Sequence, residues 1–242
     1  MAIWLSLDFE TTGLDKVKDR ITEPGLVLWS TKINRVVESA SFLVKTDVLV
    51  SKEAEEKTGI SNALLKKFGC DEDWAVEETL RFIEASEYVI GQNVCQFDKH
   101  FIYNAAARHS MKVPERLWVD TRTDLPLHVE TKSLMYMAAD HGFLNPFPHV
   151  AIADGLTVLK IASAYDLDAM VKRAQEPTLV IRSHQAFENN ADAKKLKFMF
   201  KAELGKKWLR VIKQSDLEVI GKTAPFDISI EKDLTPDQVW YS

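Results

Sequence analysis

Ile3-Trp4-Leu5-Ser6-Leu7-Asp8-Phe9-Glu10, continuing into Thr11-Thr12-Gly13-Leu14, decides how the rest of the chain is read. Ile3, Leu5, Leu7 and Phe9 alternate with Trp4, Ser6, Asp8 and Glu10, the period-two pattern of a half-buried strand over residues 2–10. Gly13 ends it. Asp8 and Glu10 therefore leave the same face, with Cα atoms about 6.6 Å apart. Two carboxylates at that spacing repel each other unless a cation joins them. An isolated Asp-x-Glu pair is usually two solvated acids on an edge strand, so its meaning depends on what accompanies it.

Residues 25–31 and 35–45 read as two further strands around a turn at Asn34, an antiparallel meander. Residues 51–68 read as short helices broken at Gly59, and 73–85 as an amphipathic helix with Val76, Leu80 and Ile83 on one side. Tyr88-Val89-Ile90 is a short buried strand ended by Gly91. A helix follows over 97–109, then a strand at Trp118-Val119-Asp120. Thr131 is placed to cap a helix over 132–141 that Gly142 stops. A long helix is expected over roughly 150–173. Three strands followed by alternating helix and strand predict an α/β domain with a mixed sheet. Pro177 marks a boundary between residues 1–176 and 177–242. In the second part, Leu179-Val180-Ile181, a helix over 191–200 and Trp208–Ile212 predict a small βαβ-like, α+β appendage.

Two further segments bear on Asp8 and Glu10. Gly91-Gln92-Asn93-Val94-Cys95-Gln96-Phe97-Asp98 leaves a buried strand and opens a helix. Gly91 permits a sharp exit, Asn93 organises the turn, and Phe97 anchors the helix as a core residue. Asp98 then lies in the first helical turn, where it can face inward. The other segment is His149-Val150-Ala151-Ile152-Ala153-Asp154. Were all six residues helical, about 140° of rotation would separate the two side chains. Pro146 and Pro148 instead put His149 on the loop before the helix, from which it can reach over Asp154. Ala151 and Ala153 let that helix approach its neighbours closely.

The Asp8–Leu14 stretch, the Gly91–Asp98 segment and His149-x-Ala-x-x-Asp154 resemble the three exonuclease motifs of the DnaQ-like superfamily, in its DEDDh branch. The resemblance covers residues 1–174 and implies a ribonuclease-H-like fold: a mixed central sheet flanked by helices. It implies two divalent cations, Mg²⁺ or Mn²⁺, held by Asp8, Glu10, Asp98 and Asp154, with Asp8 bridging the two. His149 would be the general base toward the attacking water, a role suited to its ordinary pKa of ~6.5. Thr11 would offer its backbone N–H to the terminal 3′-hydroxyl, and Leu14 would wedge beside the terminal base. His141 does not match the motif spacing and reads as structural.

The resemblance implies a 3′–5′ exonuclease that releases nucleoside 5′-monophosphates from single-stranded DNA. RNA is the rival substrate, and a non-catalytic nucleic-acid-binding or polymerase-accessory module is the rival function. A polymerase domain does not fit in 242 residues, so proofreading would need a separate polymerase chain.

Composition agrees with a soluble globular protein: 46% hydrophobic and 28% charged residues exclude global disorder, collagen and disulfide scaffolds. The N-terminus lacks the basic region of a signal peptide, and no apolar run approaches the ~20 residues of a membrane span. Cys70 and Cys95 form neither a disulfide framework nor a zinc site. The expected home is a reducing cytoplasm, bacterial or phage-infected. Net charge is −5, distributed as −7 over 1–159, +6 over 160–214 and −4 over 215–242. Between 194 and 213, seven lysines and Arg210 face one acid, Glu203. The cluster either grips phosphates of a strand or is a solvated face.

Overall fold

The computed structural model describes residues 2–129, 133–185 and 190–241. The chain divides into two compact units, Met1–Ala174 and Gln175–Ser242.

In the first unit, β1 (Ile3–Thr11), β2 (Ile21–Ser30), β3 (Arg35–Ser41), β4 (Tyr88–Gly91) and β5 (Leu117–Asp120) form one sheet. Their spatial order is β3-β2-β1-β4-β5. The meander is antiparallel, and β4 and β5 run parallel to β1. The sheet is mixed, as expected, with β1 at its centre. The half-buried pattern expected for β1 is overturned: Trp4 is 2% exposed and Ser6 is fully buried, because helices cover both faces. Leu5, Leu7 and Phe9 pack with Val76, Phe82, Ile83 and Phe101. These come from α3 (Glu72–Glu84) and α4 (Asp98–Arg108). Trp4 packs on the other side with Val27, Trp29, Val158 and Ile161.

β2 begins at Ile21, earlier than expected, and runs through Pro24. Proline is tolerated there because Phe9, its β1 partner, donates its N–H to the Asp98 carboxylate instead. An opposed antiparallel pair exchanges either two hydrogen bonds or none, so Pro24 faces a position where its missing N–H is not needed. Asn34 turns the β2–β3 hairpin at φ 48°.

α1 (Lys52–Thr58) and α2 (Asn62–Phe68) are separated at Gly59, whose φ of 74° ends α1 in the left-handed region. Ser51 and Ser61 cap them through their hydroxyls. α5 (Leu134–Asp140) follows. The cap expected at Thr131 falls outside the described residues. The single helix expected over 150–173 is two: α6 (Ala151–Ala162) and α7 (Leu167–Gln175). Asp166 makes the break, since its side chain accepts the Ala169 N–H at 3.1 Å and starts a new helix.

The N-terminal end of α6 is docked onto the sheet. A Cβ at Gly25 of β2 would lie 2.2 Å from the Ala151 carbonyl carbon, so only glycine admits the helix at this depth. Ser6 Oγ donates to the Gly155 carbonyl at 2.9 Å and fixes the helix along β1.

The second unit contains β6 (Thr178–Ser183), α8 (Ala191–Lys195), β7 (Met199–Lys201), β8 (Lys207–Lys213), α9 (Asp216–Thr223), β9 (Ile228–Ile230) and α10 (Pro236–Tyr241). Its sheet, ordered β7-β8-β6-β9, is antiparallel throughout. A βαβ unit would require parallel strands, so that expectation is corrected. The helix expected over 191–200 stops at Lys195. Lys197 takes φ 59°, and the chain turns into β7.

The basic cluster is also partly consumed within this unit. Lys207 pairs with Glu231 at 2.7 Å, Arg210 donates to the Leu196 carbonyl, and Lys201 and Lys213 are buried. Lys194, Lys195, Lys197 and Lys206 are exposed. Among the described residues both cysteines are free, and no helix is long and apolar enough to cross a membrane.

Candidate active site

Because β1 and β4 are parallel neighbours, the segments leaving their C-terminal ends emerge side by side. Asp8 and Glu10 lie at that end of β1. The Gly91–Asp98 turn leaves β4 beside them, and Gly91 is required there: a Cβ would lie 2.6 Å from the Leu7 carbonyl oxygen. Asn93 adopts φ 62° and organises the turn as expected. The buried Asp120, at the end of β5, accepts the Asn93 N–H at 2.8 Å and the Cys95 N–H at 3.1 Å. Asp98, the first residue of α4, accepts the Phe9 N–H at 2.8 Å. Its carboxylate is thus tied to the backbone between Asp8 and Glu10.

His149 and Asp154 arrive on the other side. His149 precedes α6 with φ 63°, and its N–H donates to Asp154 Oδ2 at 3.1 Å. Asn145 donates its amide to Asp154 Oδ1 and accepts the Phe147 N–H. Asp154 is therefore held at both oxygens. Glu23 on β2 accepts the Ala151 N–H at 3.3 Å. The positive φ at His149 takes it out of the helical path and removes the 140° obstacle.

Asp8, Glu10, Asp98, His149 and Asp154 line one open cleft of about 800 Å³, together with Thr11 and Leu14. Donor atoms of Glu10, His149 and Asp154 all lie within 4.8 Å of one another. Leu14 is 81% exposed, an apolar side chain standing free at the rim. Thr11 Oγ1 donates to the Gly13 carbonyl at 2.6 Å and shapes the turn out of β1. Phe97 packs against Phe101 and the core, as expected, and also borders the cleft. His141 lies outside it, with ring nitrogens 2.6 Å from the Met137 carbonyl and the Tyr165 hydroxyl, a structural residue.

The crowded acids are destabilised as anions. Burial, then repulsion from Asp98, Glu10 and Asp154, pushes Asp8 well above the ordinary carboxylate range. Burial raises Asp98 likewise, against the opposing Phe9 hydrogen bond. Glu10 is pushed up to about 7 by burial and then by Asp154. Burial also raises Asp154. His149 is lowered, first by burial and then by the Lys57 ammonium, with Asp154 opposing. Four carboxylates that repel in a half-enclosed cleft form an oxygen donor set suited to hard divalent cations. The residues present fit such ions.

Lys57, Asn145, Glu23 and Asp120 escape the sequence reading. Asp120 carries a signal, being an acid at the C-terminal end of a parallel strand, where open sheets meet ligands. Asn145 and Lys57 carry none, because only the folded loop and α1 bring them to the cleft.

The sequence pattern of the RNase T family, described as Exonuclease, matches residues 5–162. The chain belongs to this exonuclease family. Its unit of five strands has the ribonuclease-H-like fold of the DnaQ-like 3′–5′ exonuclease superfamily. Among curated relatives, the chain is 27% identical over 172 residues to DNA polymerase III PolC-type of Thermotoga maritima, covering 71% of this chain and 10% of that protein. The Thermotoga petrophila protein of the same name is 28% identical with the same coverage. The chain thus spans a tenth of the length of these relatives.

Among solved structures, E. coli Exonuclease I in complex with a 5cy-dT13 oligonucleotide superposes with a TM-score of 0.64 at 14% identity, covering 100% of this chain and 68% of the other. The nuclease domain of 3′hExo, a DEDDh family member bound to rAMP, gives 0.56 at 16% identity, with 67% and 90% covered. These likenesses establish the fold.

Proposed function

We propose that this exonuclease removes nucleotides singly from the 3′ end of single-stranded DNA, releasing nucleoside 5′-monophosphates. The observation that carries this reading is the convergence of Asp8, Glu10, Asp98, His149 and Asp154 on one open cleft. Asp8, Glu10, Asp98 and Asp154 would hold two divalent cations, Mg²⁺ or Mn²⁺. Such ions, when bound, polarise a phosphoryl oxygen and stabilise the entering and leaving oxygens of an in-line displacement.

The chain's own residues do the rest. His149 accepts a proton from the attacking water, and its lowered pKa keeps the ring neutral and able to do so near pH 7. Asn145 and the His149 backbone hold the Asp154 carboxylate in one orientation. Thr11 offers its backbone N–H to the terminal 3′-hydroxyl, and the exposed Leu14 wedges against the terminal base. A terminal nucleotide must leave its pairing partner to enter such a cleft, so single strands and frayed ends react first.

DNA is preferred over RNA because Glu10-Thr11-Thr12-Gly13 resembles the proofreading subgroup and the curated relatives are PolC-type DNA polymerases; the solved likenesses include both Exonuclease I with DNA oligonucleotides and 3′hExo with rAMP. The PolC-type relatives also support work beside a polymerase. The test is a 5′-labelled DNA oligomer and its RNA counterpart, each incubated with Mg²⁺ and with EDTA. Stepwise shortening of the DNA, abolished by EDTA, is expected. A mobility shift without shortening would establish the accessory-module reading, and faster shortening of the RNA would reassign the substrate.

A further inference from the structure

The cleft has a charge problem that its candidate cation ligands do not solve. Seven carboxylates line it, and among the described lining residues Lys57 is the only Lys or Arg. A polyanionic strand must nevertheless enter. Lys57 sits in the last turn of α1, where Glu53, Ala54, Lys57 and Thr58, spaced three and four apart, turn toward the cleft. The helix is pinned to the end of β1: the Ser51 N–H donates to the Thr12 carbonyl at 2.8 Å, and Ser51 Oγ accepts the Ala54 N–H at 3.1 Å. Val50, Ile60 and Leu65 bury its base. The lysine is thus exposed on a fixed support, and among the described residues its ammonium has no hydrogen bond or ion pair of its own. Its charge is felt at Asp8, Glu10, His149 and Asp154. Lys57 lines the same cleft in which Glu10, His149 and Asp154 meet, where the proposed reaction puts the phosphate under attack.

We propose that Lys57 grips a non-bridging oxygen of the scissile phosphate. The inference rests on the exonuclease reading and adds to it a positive side chain that contacts the reacting group. In the step served, a water oxygen bonds to phosphorus as the bond from phosphorus to the 3′-oxygen of the preceding nucleotide breaks. One water proton passes to His149 and on to solvent, and the departing 3′-oxygen is protonated by solvent. Charge on the non-bridging oxygens is retained throughout, and a flexible ammonium can follow it from strand to released monophosphate.

The test uses the full chain with Lys57→Gln and Lys57→Arg, both checked for an unchanged melting temperature. Two substrates in Mg²⁺ are compared: a dT oligomer and the p-nitrophenyl ester of thymidine 5′-monophosphate, which carries one phosphate. Lys57→Gln is expected to slow both roughly 10- to 100-fold, with partial recovery in Lys57→Arg. Calorimetry should show weaker binding of thymidine 5′-monophosphate by Lys57→Gln, a readout independent of turnover. Undiminished hydrolysis and nucleotide binding in Lys57→Gln would overturn the inference. A defect confined to the KM for the long oligomer would do the same, by moving the contact to a distant phosphate. Inactivity of the unmodified protein on both substrates would instead defeat the exonuclease reading.

Discussion

Replacing Glu10 by Gln should make the metal-free protein more stable while destroying its activity. Glu10 is 8% exposed, and its carboxyl is raised from an ordinary 4.5 to about 7, chiefly by burial and then by Asp154. A raised carboxyl binds its proton more tightly in the folded state than in the unfolded one. Folding stability from this group is therefore fully present below the unfolded pKa and is lost as pH rises from 4.5 to about 7. At ~1.4 kcal/mol per pKa unit, the loss is at most about 3 kcal/mol. Gln keeps the shape and removes the charge.

Thermal melts in EDTA at about pH 8 should then place Glu10→Gln above the unmodified protein by several degrees, at roughly 2–4 °C per kcal/mol for a unit of this size. Near pH 4 the two should converge. Mg²⁺ should raise the melting temperature of the unmodified protein far more than that of the variant, because binding to the folded state offsets the same repulsion. Equal melting temperatures in EDTA at pH 8, with no differential response to Mg²⁺, would refute the argument that buried repulsion organises this cleft.

Other outcomes follow from the same geometry. The rate should fall on acidification as His149 takes up a proton, with its midpoint below ~6.5 because burial and Lys57 lower the imidazole; a pH–rate profile flat from about 5 to 8 would remove His149 from the proton-transfer role. Asn145→Ala frees one oxygen of Asp154, and titration of activity against Mg²⁺ should show a requirement raised roughly tenfold. Gly25→Ala forces a methyl group into the Ala151 backbone and should cost about 1–3 kcal/mol by denaturant unfolding, with activity lost as α6 lifts away. Lys195→Glu with Lys206→Glu, both at exposed positions, should weaken oligonucleotide binding and flatten its salt dependence if the second unit helps hold the strand.

Asp8, Glu10, Asp98, His149 and Asp154 were picked out by a resemblance between three short segments and the exonuclease motifs, and each segment also expresses a local spacing. Asp8 and Glu10 must share a strand face, Asp98 must open a helix, and His149 must precede the helix that carries Asp154. Each is a short-range relation that strand and helix periods express directly. The meander, Asn34 and the Gly59 break were legible for the same reason: turn residues act through their own backbone angles. Failures occurred where a local pattern competes with distant partners. β1 alternates like a half-exposed strand, yet α6 covers the face carrying Trp4 and Ser6, and no short window of sequence contains that helix. The residues from Ile152 to Val171 keep an apolar helical rhythm across a break made by one capping aspartate. The lysines after Lys194 read as one patch, yet half are drawn into their own unit by partners such as Glu231 and the Leu196 carbonyl.

The sequence by itself determined which groups are available for chemistry and on which element each would ride. Tertiary structure alone decided that they meet: parallel β1 and β4 put Asp8, Glu10 and Asp98 at one sheet end, and Gly25 lets α6 come close enough to add His149 and Asp154. It also decided that Lys57, on a helix with no motif, stands among them. The physical reason is range. Periodicity and turn preference act over a few residues, whereas the repulsion that makes this cleft a candidate cation site arises between carboxylates up to 146 residues apart in the chain.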